Sequence, residues 1–122
     1  MKKLLLIFFL FGFLFINNCS KNKKVEILNI EGDQIEGQMI KAYQEGMGAF
    51  ENKLYLDAAK KFNEAEILFP QSDWAPRSAL MAAYAYYFDD YSNRAISELI
   101  NFFKKYPNDP NTSYAHYLLA MS

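Results

Sequence analysis

The chain matches itself at an offset of 37 residues, and that constrains its fold more than any other feature. Sliding it by 37 pairs Ala58 with Ala95, Pro70 with Pro107, Phe62 with Leu99 and Phe69 with Tyr106, and it aligns Gly46 with Ala83 and Ala120. Small residues fall on small, apolar on apolar, proline on proline. A period of roughly 20 to 50 residues that preserves residue class marks a stacked array of short structural units, each touching only its neighbours.

Within each period the apolar residues recur at helical spacing. Met39, Tyr43, Met47, Phe50 and Leu54 lie three or four residues apart, one stripe of a helix that becomes legible near Gln38. Leu56, Ala59, Phe62, Ala65, Ile67, Leu68 and Phe69 predict a second helix that Pro70 stops. Pro76 suits the first turn of a third helix carrying Leu80, Ala83, Tyr84, Tyr87 and Phe88, with Ser72 or Asp73 as its cap. After the polar turn Asp89 to Asn93, a fourth helix runs from Ala95 through Phe103 to Pro107. Thr112 or Ser113 caps a fifth, from Tyr114 to Ser122. No segment alternates with period two, so the expected class is all-α.

The N-terminus carries a second message. Met1-Lys2-Lys3 is basic, Leu4 to Ile16 is apolar with one glycine, and Asn17-Asn18-Cys19 closes the run. This is the outline of a secretory signal. Thirteen residues at about 1.5 Å rise each span too little of a hydrocarbon core about 30 Å thick to make a transmembrane helix. Cys19 is the only cysteine, which excludes an internal disulfide. Its position resembles the lipobox of bacterial lipoproteins, with Ile16 fitting the pattern and Asn18 departing from the small residue usual before the cysteine. That resemblance implies a diacylglycerol and an N-acyl chain on Cys19, no other cofactor, and, with Ser20 following, the outer membrane of a Gram-negative cell. The alternative is a free thiol in an ordinary signal.

Three segments are therefore expected: a signal peptide over 1–18, a lipidated cysteine and tether over 19–37, and a repeat domain over 38–122. The last divides into 38–74, 75–111 and the start of a third unit at 112–122. Cleavage after residue 18 leaves 11 basic against 14 acidic side chains, without long blocks. Such a balance offers no footprint for nucleic acid. Lys21, Lys23 and Lys24 cluster beside the anchor, where they either meet anionic lipid or simply solvate a tether. Enzymatic chemistry finds no foothold. His116 is the only histidine and has no nucleophile or carboxylate at a useful spacing. Asp89 and Asp90 are adjacent and read as a turn, and Glu64 and Glu66 read as a solvated face. There is no phosphate loop and no metal-ligand cluster.

Each hairpin resembles a tetratricopeptide repeat. Gly46, Ala58, Phe62, Ala65 and Pro70 match that motif in the first unit, and Ala83, Ala95, Leu99 and Pro107 in the second, where Phe102 replaces a small residue. Small residues are needed because two helices about 8 to 10 Å apart cannot both be bulky where they cross. A stronger resemblance is to the BamD (ComL) family of outer-membrane assembly lipoproteins. It rests on AYAYYFDDYSNRAI from Ala83 to Ile96, NFFKKYPNDPN from Asn101 to Asn111, and YAHYLL from Tyr114 to Leu119, with the cysteine a short tether upstream. That family has about five repeats, so the chain is expected to be an N-terminal fragment.

In such arrays the first helix of each hairpin lines a concave groove. The register assigns to it Ile40, Tyr43, Met47 and Phe50, then Arg77, Leu80, Tyr84, Tyr87 and Phe88, then Tyr114, Tyr117 and Met121. The resemblance implies unfolded outer-membrane protein precursors with an aromatic C-terminal signal as ligands, other subunits of the β-barrel assembly complex as partners, and a lipid-anchored position on the periplasmic face of the outer membrane. Two alternatives remain at this point. One is another tetratricopeptide lipoprotein, such as a secretin pilotin; the other is the anchored N-terminal part of a cell-wall enzyme.

Overall fold

The computed structural model describes the backbone of residues 23–122 and side chains from residue 32 onward. The signal segment, Cys19 and Lys21 lie outside the described residues, as do the side chains of Lys23 and Lys24. Among the described residues five helices follow one another: α1 (Lys23–Glu51), α2 (Tyr55–Leu68), α3 (Trp74–Phe88), α4 (Ser92–Lys105) and α5 (Thr112–Met121). No strand occurs among the described residues, and no helix there is long and apolar enough to cross a membrane. Residues Gly32–Ser122 form one compact unit, in which consecutive helices pack against each other as a tetratricopeptide-like solenoid.

Packing follows the 37-residue register. At the first crossing a Cβ on Gly46 would stand 2.9 Å from two ring carbons of Phe62, so any larger residue there forces that ring to shift. Phe62 is fully buried, with Ala58, Ala59, Ala82, Ala85, Tyr86 and Ala95 around it. At the second crossing Ala83 and Leu99 share a buried cluster with Phe102, Ala115 and Leu118. Ala120, the third position of this series, is exposed on α5.

The turns repeat as closely as the crossings. Lys53 and Asp90, 37 residues apart, both take left-handed conformations with φ of 62° and 59°. Leu54 and Tyr91 follow at φ −87° in each case. Leu54 thus leaves the α1 stripe and stands exposed in the turn.

Several local expectations are corrected. The backbone is helical from Lys23, well before Gln38, within the stretch read as tether. Gly32 and Gly37 each cost a helix about 1 kcal/mol, but no proline interrupts the run. Neither α3 nor α5 has a side-chain cap. Ser72 donates from Oγ to the Phe69 carbonyl (2.8 Å), and Thr112 from Oγ1 to the Asp109 carbonyl (2.6 Å). Both hydroxyls close the preceding loop instead; the cap positions are Asp73, which makes no side-chain cap bond, and Asn111, one residue before the expected Thr112.

The largest correction concerns Glu66. It is only 6% exposed, not part of a solvated face. Its Oε1 accepts hydrogen bonds from Lys105 Nζ and Tyr106 Oη, each at 2.8 Å. A buried carboxylate is tolerable only when paired in this way.

Candidate peptide-binding groove

The first helix of each hairpin, α1, α3 and α5, contributes to one aromatic row. Phe50 on α1 stacks on Tyr84 of α3 with ring centroids 5.4 Å apart and planes 17° from parallel. Tyr84 reaches Tyr114 on α5 at 6.4 Å, and Tyr114 reaches Tyr117 at 6.5 Å. Phe88 closes edge-on against both Tyr84 (4.7 Å) and Phe50 (5.5 Å). These separations are the ones at which aromatic pairs attract beyond simple area burial. Each ring is therefore held by its neighbour on the next hairpin, and the row crosses both junctions.

A second group stands at the other end of α3. Tyr43 meets Trp74 edge-on at 5.2 Å and tilts against Phe62 at 5.3 Å. The Arg77 guanidinium lies over the Trp74 ring, 5.0 Å from its centroid. Arg77 is itself exposed, so the ring orients its cation without neutralising it. Burial pushes the Tyr43 phenol above its ordinary pKa, against the lowering pull of Arg77. Burial, with Tyr84 nearby, raises Tyr114 as well. Both phenols are thus neutral hydrogen-bond donors at neutral pH.

The expected groove residues divide into three sets. Ile40, Arg77, Phe88, Tyr114, Tyr117 and Met121 are exposed. Tyr43, Met47, Phe50, Tyr84 and Tyr87 are half-buried and pack against the core clusters. Leu80 does not belong to the surface. It is 8% exposed and sits in the cluster with Ala83 and Leu99, because α3 is sandwiched between neighbours and turns that position inward. Tyr55, the first residue of α2, was missed. It adds a ring to the row, 5.1 Å from Phe50 and 5.5 Å from Phe88, and its place immediately after a turn hid it from a search along first helices.

Groups for catalysis are not brought together. The His116 ring lies flat on Phe103 at 4.2 Å and 17°. Asp89 and Asp90 form the turn after α3. No group of three or more His, Cys, Asp or Glu side chains capable of holding a metal occurs among the described residues. What the surface offers is apolar area, stacked rings and phenol hydroxyls with one cation beside them. That chemistry suits binding of a chain with aromatic side chains.

Comparison with known proteins identifies the family. The profile of the family described as "YfiO: Outer membrane lipoprotein" matches residues 35–122. The chain belongs to this family. Among curated relatives, the outer membrane protein assembly factor BamD of Caulobacter vibrioides is 34% identical over 79 residues, which cover 65% of this chain and 26% of that protein. The BamD of Neisseria meningitidis serogroup B is 37% identical over 78 residues, 64% of this chain and 29% of that one. In Rickettsia prowazekii the identity is 28% over 92 residues, 75% of this chain and 37% of the relative. The chain thus spans less than two fifths of the length of these relatives. No solved structure matches it.

Proposed function

We propose that the chain works in the assembly of outer-membrane proteins, and that its groove holds segments of unfolded precursors. The family and the relatives' names support the role in assembly. The observation that carries the peptide-binding part is the aromatic row from Phe50 through Tyr84 to Tyr114. It runs over three successive first helices, and its rings are half-buried or exposed. A dry core would have little use for that many phenols, or for an exposed Arg77 beside them. The same reading includes acylation of Cys19, an outer-membrane position on the periplasmic face, and association with the other subunits of the β-barrel assembly complex. Its mode of action is binding and hand-over rather than catalysis. The pilotin and cell-wall-enzyme alternatives gain nothing from the matches.

The test uses synthetic peptides ending in an aromatic residue, as free acid and as amide. The acid should bind, and the amide several-fold more weakly, because Arg77 meets the terminal carboxylate through charge-assisted hydrogen bonds. Tyr84→Ala should weaken both forms, and Arg77→Ala should remove the difference between them. Equal affinity of acid and amide would eliminate the carboxylate role of Arg77. Absence of binding in calorimetry at millimolar peptide would return the tyrosines to a purely packing role.

A further inference from the structure

We infer that Glu66 is a positioning residue for the groove: its bonds to Lys105 and Tyr106 fix the angle between the first two hairpins, and so the alignment of Phe50 with Tyr84. The inference rests on the peptide-binding reading for its consequence, but not for its geometry. Glu66 lies near the end of α2, and its two donors lie at the end of α4 and in the residue after it, 39 and 40 positions along the chain. Both bonds therefore cross the junction between hairpins. The Phe50–Tyr84 stack crosses the same junction on the groove side.

In a solenoid each unit touches only its neighbours, and apolar packing alone lets one hairpin rock on the next. Directional bonds at the back of the junction remove that freedom. Setting register is also the best-attested use of a buried charged group, since its contribution to net stability is small once desolvation is counted. At the second junction the register position of Glu66 carries no charge. The residue equivalent to Glu66 is Phe103, which lies flat against His116 of α5. Control of alignment by Glu66 is thus specific to the Phe50 end of the row.

The experiment uses the full chain with Cys19→Ala and nitroxides at Lys60→Cys and Ser97→Cys, exposed positions 37 residues apart on α2 and α4. Glu66→Met keeps the volume and removes the bonds. It should broaden the distance distribution between the labels and weaken an aromatic-ended peptide several-fold, whereas Glu66→Gln, which retains an acceptor oxygen, should restore most of both. In the Glu66→Met background Phe50→Ala should cost the peptide little further affinity, while Tyr114→Ala should cost what it does in the parent chain. Lys105→Met removes one donor from a side chain that is 56% exposed; it should give a smaller broadening, and it decides the matter should Glu66→Met not fold. An unchanged distance distribution in Glu66→Met, or in Lys105→Met where that variant decides, overturns the inference, as does an equal cost of Phe50→Ala in both backgrounds. If the parent chain binds no peptide, the functional reading fails and the distances alone judge Glu66.

Discussion

The two complete hairpins solve one packing problem with unequal divisions of volume. The first crossing sets glycine against phenylalanine, Gly46 under Phe62; the second, at the same register, sets alanine against leucine, Ala83 with Leu99. One side gives up a methyl where the other takes a ring. What the repeat conserves is therefore the summed size of the pair, not the identity of either member. This follows from interiors packed at the density of organic crystals, where a single methyl is felt.

Overpacking either crossing gives the largest expected effect. Ala83→Leu should destabilise by about 1 to 3 kcal/mol. Gly46→Leu should cost more, because even its Cβ meets the Phe62 ring at 2.9 Å. Equal losses of melting temperature in the two variants would erase the distinction between the crossings. A swap sharpens it: Gly46→Ala with Phe62→Leu rebuilds the second crossing inside the first. The double variant should be more stable than the sum of the single effects by about 0.5 to 3 kcal/mol, the usual coupling for residues in contact. Strict additivity would mean that Phe62 does not set the size of residue 46.

The two junctions between hairpins supply the next contrast, a buried carboxylate at the first and stacked rings at the second. Tyr106→Phe removes one of the two donors to Glu66 and should cost about 1 to 3 kcal/mol at neutral pH, as expected for a buried charged group that loses a partner. It should also change the response to alkali. Burial raises the Tyr106 phenol well above its ordinary value of 10.0, and the bond to Glu66 raises it further. Above about pH 10 the unfolded chain releases this proton while the folded chain keeps it, so stability falls as pH rises. Tyr43 and Tyr114 act in the same direction. Urea titrations between pH 8 and 11 should thus give a shallower alkaline decline in Tyr106→Phe. An unchanged slope would place the effect on the other two phenols.

These contrasts also explain what was legible in the sequence. The crossings were, because a helix seam needs small residues at a fixed offset, and Gly46, Ala83, Phe62 and Leu99 carry that signal in their own identities. The stops at Pro70 and Pro107 were legible for the same local reason. Glu66 was not, since its burial is imposed by partners some 40 residues away, and its neighbours on α2 give only the alternation of an exposed face. Leu80 was misplaced because a helix packed on two sides has no single apolar stripe, and α3 has eight buried residues among its fifteen. The start of α1 was hidden by Gly32 and Gly37, which weaken a helix without ending it.

The smallest effect lies in the turns, where the hairpins agree in shape and differ in chemistry. Lys53 and Asp90 occupy the same left-handed conformation, φ 62° and 59°. For an L-residue with a Cβ this costs about 1 to 2 kcal/mol, less for Asp or Asn, whose short polar side chains bond locally. Glycine pays no such steric cost, though its unfolded chain has more freedom to lose. Lys53→Gly should therefore stabilise by up to about 1 kcal/mol and Asp90→Gly by less, the difference measuring how far an aspartate already suits the turn. Both turns are exposed, so neither substitution disturbs the core, and chemical denaturation midpoints report the backbone contribution directly. A larger gain at Asp90 than at Lys53 would show that local hydrogen bonding by aspartate does not relieve strain in this turn. The two hairpins would then differ only where their helices cross and where they join.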